Sequence, residues 1–117
     1  MTSVSQQLVT YCNNNYECVA TTKYLTFFQT RVGKRFAVEN ELKGDARIWL
    51  EYGKLIFDNI DGVEVSNKKF PGKPYDEFQT RNSNLNAKNS PTLKFGNEVW
   101  RFSIRELPAF TKLMEQY

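Results

Sequence analysis

Lys23-Tyr24-Leu25-Thr26-Phe27-Phe28-Gln29-Thr30, then Arg31-Val32-Gly33, then Lys34-Arg35-Phe36-Ala37-Val38-Glu39 is the stretch on which the fold turns. Two runs rich in aromatic and β-branched residues flank Val32-Gly33, the pattern of an antiparallel hairpin. A two-residue turn there sets Phe27 opposite Val38 and Gln29 opposite Phe36. Leu25, Phe27, Phe36 and Val38 then share one face, the consistency a hairpin requires. A longer loop is the alternative, because valine is poorly suited to positive φ. Either loop gathers Arg31, Lys34 and Arg35 at the tip.

Upstream of this hairpin, residues 17–20 read as a short strand. Residues 3–12 read as a helix, with Ser3 as N-cap, Gln6 three positions on as in a capping box, and Val4, Leu8, Tyr11 and Cys12 on one face. Asn13-Asn14-Asn15 is expected to stop it, since asparagine tolerates the left-handed conformation. Downstream, Arg47 to Tyr52 alternates as a strand, with Ile48, Leu50 and Tyr52 inward and Trp49 outward. Gly53-Lys54 reads as a turn, Leu55 to Ile60 as a strand or a helical turn, Asp61-Gly62 as a turn and Val63-Glu64-Val65 as a short strand. Thr92 to Ile104 reads as a second hairpin around Gly96-Asn97, placing Leu93, Phe95, Trp100, Phe102 and Ile104 on one face. A closing helix begins near Arg105, with Pro108 in its first turn and Leu107, Phe110, Leu113, Met114 and Tyr117 as its apolar stripe.

This order predicts one α+β domain over residues 1–117: an antiparallel β-sheet with the N-terminal and C-terminal helices packed on one face. Its expected core includes Leu8, Phe27, Phe36, Leu50, Trp100, Phe102, Phe110 and Leu113. With 117 residues, 40% hydrophobic and 15% aromatic, the chain is large enough for such a core and unlike a disordered one. The first residues lack the basic and apolar runs of a signal peptide, and no apolar run approaches membrane-spanning length. Cys12 and Cys18 are too few for a disulfide framework, so free thiols and a cytoplasmic location are expected.

The sequence holds no histidine. That removes Ser-His-Asp and Cys-His nucleophile systems and histidine-containing zinc sites, and two cysteines cannot close an all-cysteine site. Asp58, Asp61, Glu64 and Lys68 suggest a nuclease metal site at first sight. Glu64 is followed by Val65-Ser66 rather than x-Lys, and Glu41-Leu42-Lys43 has no preceding aspartate, so carboxylates flanking a turn explain the cluster. Single glycines at scattered turns make no phosphate loop. No cofactor is implied.

Residues 66–91 stand apart. They hold three of the four prolines, five asparagines and little apolar periodicity, and a loop this long is commonly functional or disordered. Lys68, Lys69, Lys73, Arg81 and Lys88 face only Asp76 and Glu77, while the remainder carries eleven basic and eleven acidic residues. The whole net charge of +3 therefore lies here. Phe70, Tyr75 and Phe78 are interleaved with it. Cations that neutralise phosphates beside rings that stack on bases suit nucleic acid. The candidate surface is Lys68, Lys69, Phe70, Lys73, Tyr75, Arg81 and Lys88, extended by Arg31, Lys34 and Arg35. A solvated loop pinned by its aromatics is the plainer explanation.

Lys23-Tyr24-Leu25-Thr26-Phe27, Arg35-Phe36-Ala37-Val38, Arg47-Ile48-Trp49-Leu50 and the closing helix to Tyr117 together resemble a small uncharacterised α+β domain family. Its members occur alone or appended to predicted nucleases and restriction-type proteins. The resemblance spans about two thirds of the chain as a strand pattern, implies an accessory binding role, and transfers no catalytic residue. Three readings follow: a non-catalytic binding module for nucleic acid; a protein-interaction or self-assembling domain, with outward Trp49 and the loop aromatics as interface and a homodimer as the expected assembly; or a small-ligand binder or enzyme with a pocket between sheet and loop. No membrane partner is expected.

Overall fold

The computed structural model describes residues 3–40, 44–51, 60–67, 69–70, 72–81, 85–86 and 88–117. Eight elements follow in order: α1 (Val4–Asn15), β1 (Glu17–Thr21), β2 (Leu25–Gln29), β3 (Arg35–Glu39), β4 (Ala46–Glu51), β5 (Val63–Val65), β6 (Val99–Ile104) and α2 (Leu107–Met114). The six strands form one antiparallel sheet in the order β1-β2-β3-β4-β6-β5. The expected turn at Gly53-Lys54, and all of the ambiguous Leu55 to Ile60 segment except Ile60, lie outside the described residues.

The capping box forms as expected. Gln6 N–H donates to Ser3 Oγ at 3.1 Å and Ser3 N–H to Gln6 Oε1 at 3.3 Å. The helix ends later than expected, because Asn13 to Asn15 make its last turn. Asn15 donates its amide to the Tyr11 carbonyl at 2.8 Å. The stop is Tyr16, which turns extended at φ −135° while its N–H still reaches Cys12 O.

The first hairpin is real, but its register differs by one residue from the two-residue turn. Arg31-Val32-Gly33 forms a three-residue loop: Thr30 N–H donates to Lys34 O, Gly33 N–H to Thr30 O, and Lys34 N–H to Thr30 Oγ1. Gly33 alone supplies the positive φ, at 87°, which spares Val32 that conformation. Phe27 therefore pairs with Ala37 and Phe28 with Phe36. A one-residue slip exchanges faces, so Leu25 and Phe27 lie opposite to Phe36 and Val38 rather than beside them.

Two buried clusters result. One unites Leu8 and Cys12 of α1 and Phe110 and Leu113 of α2 with Phe28, Phe36, Ile48, Leu50, Phe102 and Ile104. Tyr11 meets Phe110 edge-on at 6.1 Å, joining the helices directly. The other unites Leu25, Phe27, Ala37, Trp49 and Val99 with Tyr75, Leu85 and Leu93 from the long segment. Phe27 and Phe28 are consecutive and both fully buried, so both faces of the sheet are covered. The described residues of the 66–98 range act as a cap over the Phe27 face, through Tyr75, Leu85 and Leu93.

The second hairpin does not form. Residues 92–98 run as successive turns, and only Val99–Ile104 is a strand. Both sides of β6 are already occupied, by β4 and by β5, so no ladder position remains for residues 92–98. Leu93 packs in the cap cluster, whereas Trp100 stacks on Phe102 at 5.6 Å on the opposite face and is only half-buried.

Both thiols are free; Cys12 is buried and Cys18 exposed. Burial pushes the Cys12 thiol up, which suppresses the reactive thiolate. A thiol reagent should label Cys18 alone in the native protein and both cysteines in denaturant; native labelling of Cys12 would contradict this packing. Phe102 is fully buried. Replacing it by Ala should remove about 3–5 kcal/mol of stability, read by urea unfolding.

Candidate nucleic-acid interface

The described residues of the cap form no helix or strand, so their backbone groups need other partners. Tyr75 provides the first anchor. Its N–H donates to Val99 O at 2.8 Å and its carbonyl accepts from Val99 N–H at 3.0 Å, continuing along β6 beyond the end of β5. Its ring meets Trp49 at 4.8 Å between centroids with the planes 67° apart. Tyr75 is 8% exposed and Trp49 3%. Beneath them Glu39 accepts from Trp49 Nε1 at 3.0 Å and pairs with Arg101 at 2.8 Å, and Arg101 reaches Ser66 Oγ and lies over the Trp49 ring.

These contacts correct two expectations. Tyr75 is not a stacking platform, because its ring is spent on Trp49. Trp49 does point away from Ile48 and Leu50, but the chain's own cap covers it. The expected homodimer rested on an uncovered Trp49 and loses that footing.

Asn67 and Arg81 organise the rest of the cap. The buried Asn67 amide donates to the carbonyls of Lys73 and Pro74 and exchanges two hydrogen bonds with the Gln79 side chain, at 3.1 and 2.8 Å. Its oxygen also accepts from the N–H groups of Lys69 and Phe70. Arg81 donates to five backbone carbonyls, those of Asp76, Gln79, Leu93, Lys94 and Asn97, and its guanidinium lies 5.8 Å from the Tyr75 ring centre. Desolvation lowers its pKa, and Tyr75 and Asp76 partly offset that. Arg81 was expected on the binding surface; its donors point into the cap instead. No sequence periodicity signals this role, because the acceptors are main-chain atoms.

The outer surface keeps other residues. Lys69, Lys73 and Lys88 are exposed, and Lys69 Nζ sits 5.5 Å from the Phe70 ring centre. Phe70 is 38% exposed, Phe78 76% and Phe95 52%. Phe78 follows a turn in which its N–H donates to the Asp76 carboxylate at 2.9 Å. Gly96 N–H donates to Glu77 O at 3.0 Å, which brings the Phe95 segment beside the Phe78 segment. A shallow groove of about 280 Å³ runs between Phe70, Lys73, Pro74, Asp76 and Glu98. Phe95 was expected to face inward as a strand residue; its exposure follows from the missing hairpin. Lys68 lies outside the described residues.

The hairpin tip does not simply extend this surface. Lys34 Nζ donates to Tyr117 O at 3.0 Å and sits over the Tyr117 ring. Arg31 lines a separate depression with Tyr11, Tyr16, Met114 and Tyr117. Arg35 comes nearest the cap, since its N–H and the Thr92 hydroxyl share the Glu51 carboxylate. Among the described residues no group of three or more His, Cys, Asp or Glu is placed to hold a metal ion, and Asp58 and Glu41 to Lys43 are not among them. No described helix is long and apolar enough to cross a membrane.

Replacing Arg81 by Lys should cost about 2 kcal/mol, because an ammonium cannot span five carbonyls spread around a planar fork. Trp49 fluorescence should shift towards that of a solvated indole as the cap loosens. An unchanged spectrum and unfolding midpoint would show that the cap does not depend on Arg81.

Compared with known protein families, curated proteins and solved structures, the chain matches none of them.

Proposed function

We propose that this chain is a non-catalytic binding domain whose cap presents exposed phenylalanines among lysines to single-stranded nucleic acid. The observation that carries the reading is the exposure of Phe70, Phe78 and Phe95 on a cap whose remaining large apolar groups are buried. Burying a phenylalanine is worth about 1.5–3 kcal/mol, so Phe78 and Phe95, largely in water, and the partly covered Phe70 on an anchored segment call for a ligand. Unpaired bases offer a π-face to each ring, and lysines meet the phosphates between them. The lysines also argue against a protein partner, since protein interfaces are depleted in lysine at their centre.

The reading takes both helices to lie on the Phe28 face, leaving the opposite face to the cap; the shared cluster of Leu8, Cys12, Phe110 and Leu113 supports that arrangement. It also takes the domain to work in a reducing, cytoplasmic setting, which the free, exposed Cys18 suits. The accessory role implied by the strand pattern agrees with a module that binds without catalysis.

Fluorescence anisotropy against single- and double-stranded oligonucleotides is the direct test. Binding should favour the single strand. Phe78→Ala and Phe95→Ala should each weaken it about tenfold, with unfolding midpoints unchanged. If Lys69, Lys73 and Lys88 each meet one phosphate, affinity should fall about twentyfold for a fourfold rise in salt, and replacing all three by Ala should flatten that dependence. No saturable binding at low salt would reject the reading in favour of a protein partner.

A further inference from the structure

A second site lies away from the cap, between the N-terminal half of α1 and the Leu25 end of the sheet. Here the core-facing stripes change character. Thr26 precedes Phe28 on β2, Asn40 follows Val38 just past β3, and Ser5 precedes Leu8 and Cys12 on α1. Each stripe is apolar along its length and polar at this end. These side chains border a cleft of about 380 Å³, together with Gln6, Thr10 and Lys23.

The walls of the cleft are preorganised. Thr26 Oγ1 donates to Asn40 Oδ1 at 2.7 Å, and Asn40 Nδ2 donates to the carbonyls of Thr22 and Lys23 at 3.1 and 3.3 Å. Asn40 thus fixes the turn that carries Lys23. Ser5 is different. It is fully buried, and its hydroxyl has no hydrogen-bond partner among the described residues. Leaving a buried hydroxyl unpaired is unfavourable, and such a group bordering a cleft asks for a ligand atom.

The lining specifies the chemistry of that ligand. Lys23 supplies an ammonium, which rests 5.4 Å from the Tyr24 ring centre at the edge of the cleft, Thr10 a hydroxyl and Gln6 an amide NH2, since Gln6 Oε1 is already taken by Ser3 N–H. No acidic residue stands in the first turn of α1, where the helix dipole favours negative charge. No carboxylate lines the cleft among the described residues. The geometry points to a binding site for a small oxyanion, a phosphate or carboxylate group, with Lys23 as counter-charge and Ser5, Gln6 and Thr10 as hydrogen-bond donors. This site is independent of the cap.

The test is a heteronuclear NMR titration with inorganic phosphate, and separately with succinate, against sodium chloride at matched ionic strength. Saturable shifts at the Ser5, Gln6, Thr22 and Lys23 amides are expected in the millimolar range, and whichever anion produces them at lower concentration identifies the preferred oxyanion. Lys23→Gln should weaken binding about tenfold while leaving oligonucleotide binding by the cap unchanged. Ser5→Ala should weaken it too, yet leave the melting temperature without phosphate equal or higher, because an unpaired hydroxyl is removed. Should that variant not fold, Thr10→Val, at an exposed position, takes its place in the titration. Shifts no different from those in chloride would overturn the proposal. So would a Ser5→Ala variant that is less stable but binds phosphate normally, since a structural water would then be the partner of Ser5.

Discussion

Phe27 and Phe28 sit next to each other on one strand, and a strand sends consecutive side chains to opposite faces. Both are buried to completion. That single constraint propagates through the molecule. A sheet apolar on one side only could leave its other side in water, as antiparallel sheets often do. This one cannot, because Phe27, Ala37, Trp49 and Val99 form a continuous second apolar layer. The chain answers with the 66–98 range, whose described residues form no helix or strand and lay Tyr75, Leu85 and Leu93 across that layer.

Covering a hydrophobic face with irregular backbone raises a second difficulty. Helices and strands satisfy their own main-chain groups; a cap must find partners elsewhere. Asn67 and Arg81 are that solution. One buried amide uses both its donor and acceptor sides, and one guanidinium gathers five carbonyls from residues 76 to 97. Among the described residues the guanidinium forms no ion pair in doing so, although the nearby Asp76 favours its charge. Its positive charge is spread over peptide dipoles, and this is why a segment rich in cations can be folded and yet keep its lysines outside.

Much of the sheet and both helices were legible in the sequence. Ser3 and Gln6 announced α1, Pro108 announced the start of α2, and the alternation of Ile48, Trp49 and Leu50 announced β4, including the outward direction of Trp49. The register of the first hairpin was not legible from the strands, whose apolar residues fit either alignment; only the backbone demand on Val32 distinguished them. The second hairpin failed for a nonlocal reason. Gly96-Asn97 is a good turn, but β5, thirty residues earlier, had taken the edge of β6. Of the candidate surface, the exposure of Lys69, Lys73 and Lys88 was legible from charge alone. Tyr75 and Arg81 were misassigned because a ring or a guanidinium looks the same in sequence whether it faces solvent or a main-chain oxygen.

Tyr117 has its own place in this architecture. Its phenolic hydroxyl donates to the Arg35 carbonyl and accepts from the Glu51 N–H, just beyond the Phe36–Leu50 pair where the β3–β4 ladder stops. A side chain more than eighty residues from Arg35 thus completes a seam between two strands that are close neighbours in sequence. The residues that follow α2 are therefore tied to the margin of the sheet, and a change that displaces them is felt at Arg35 and Glu51.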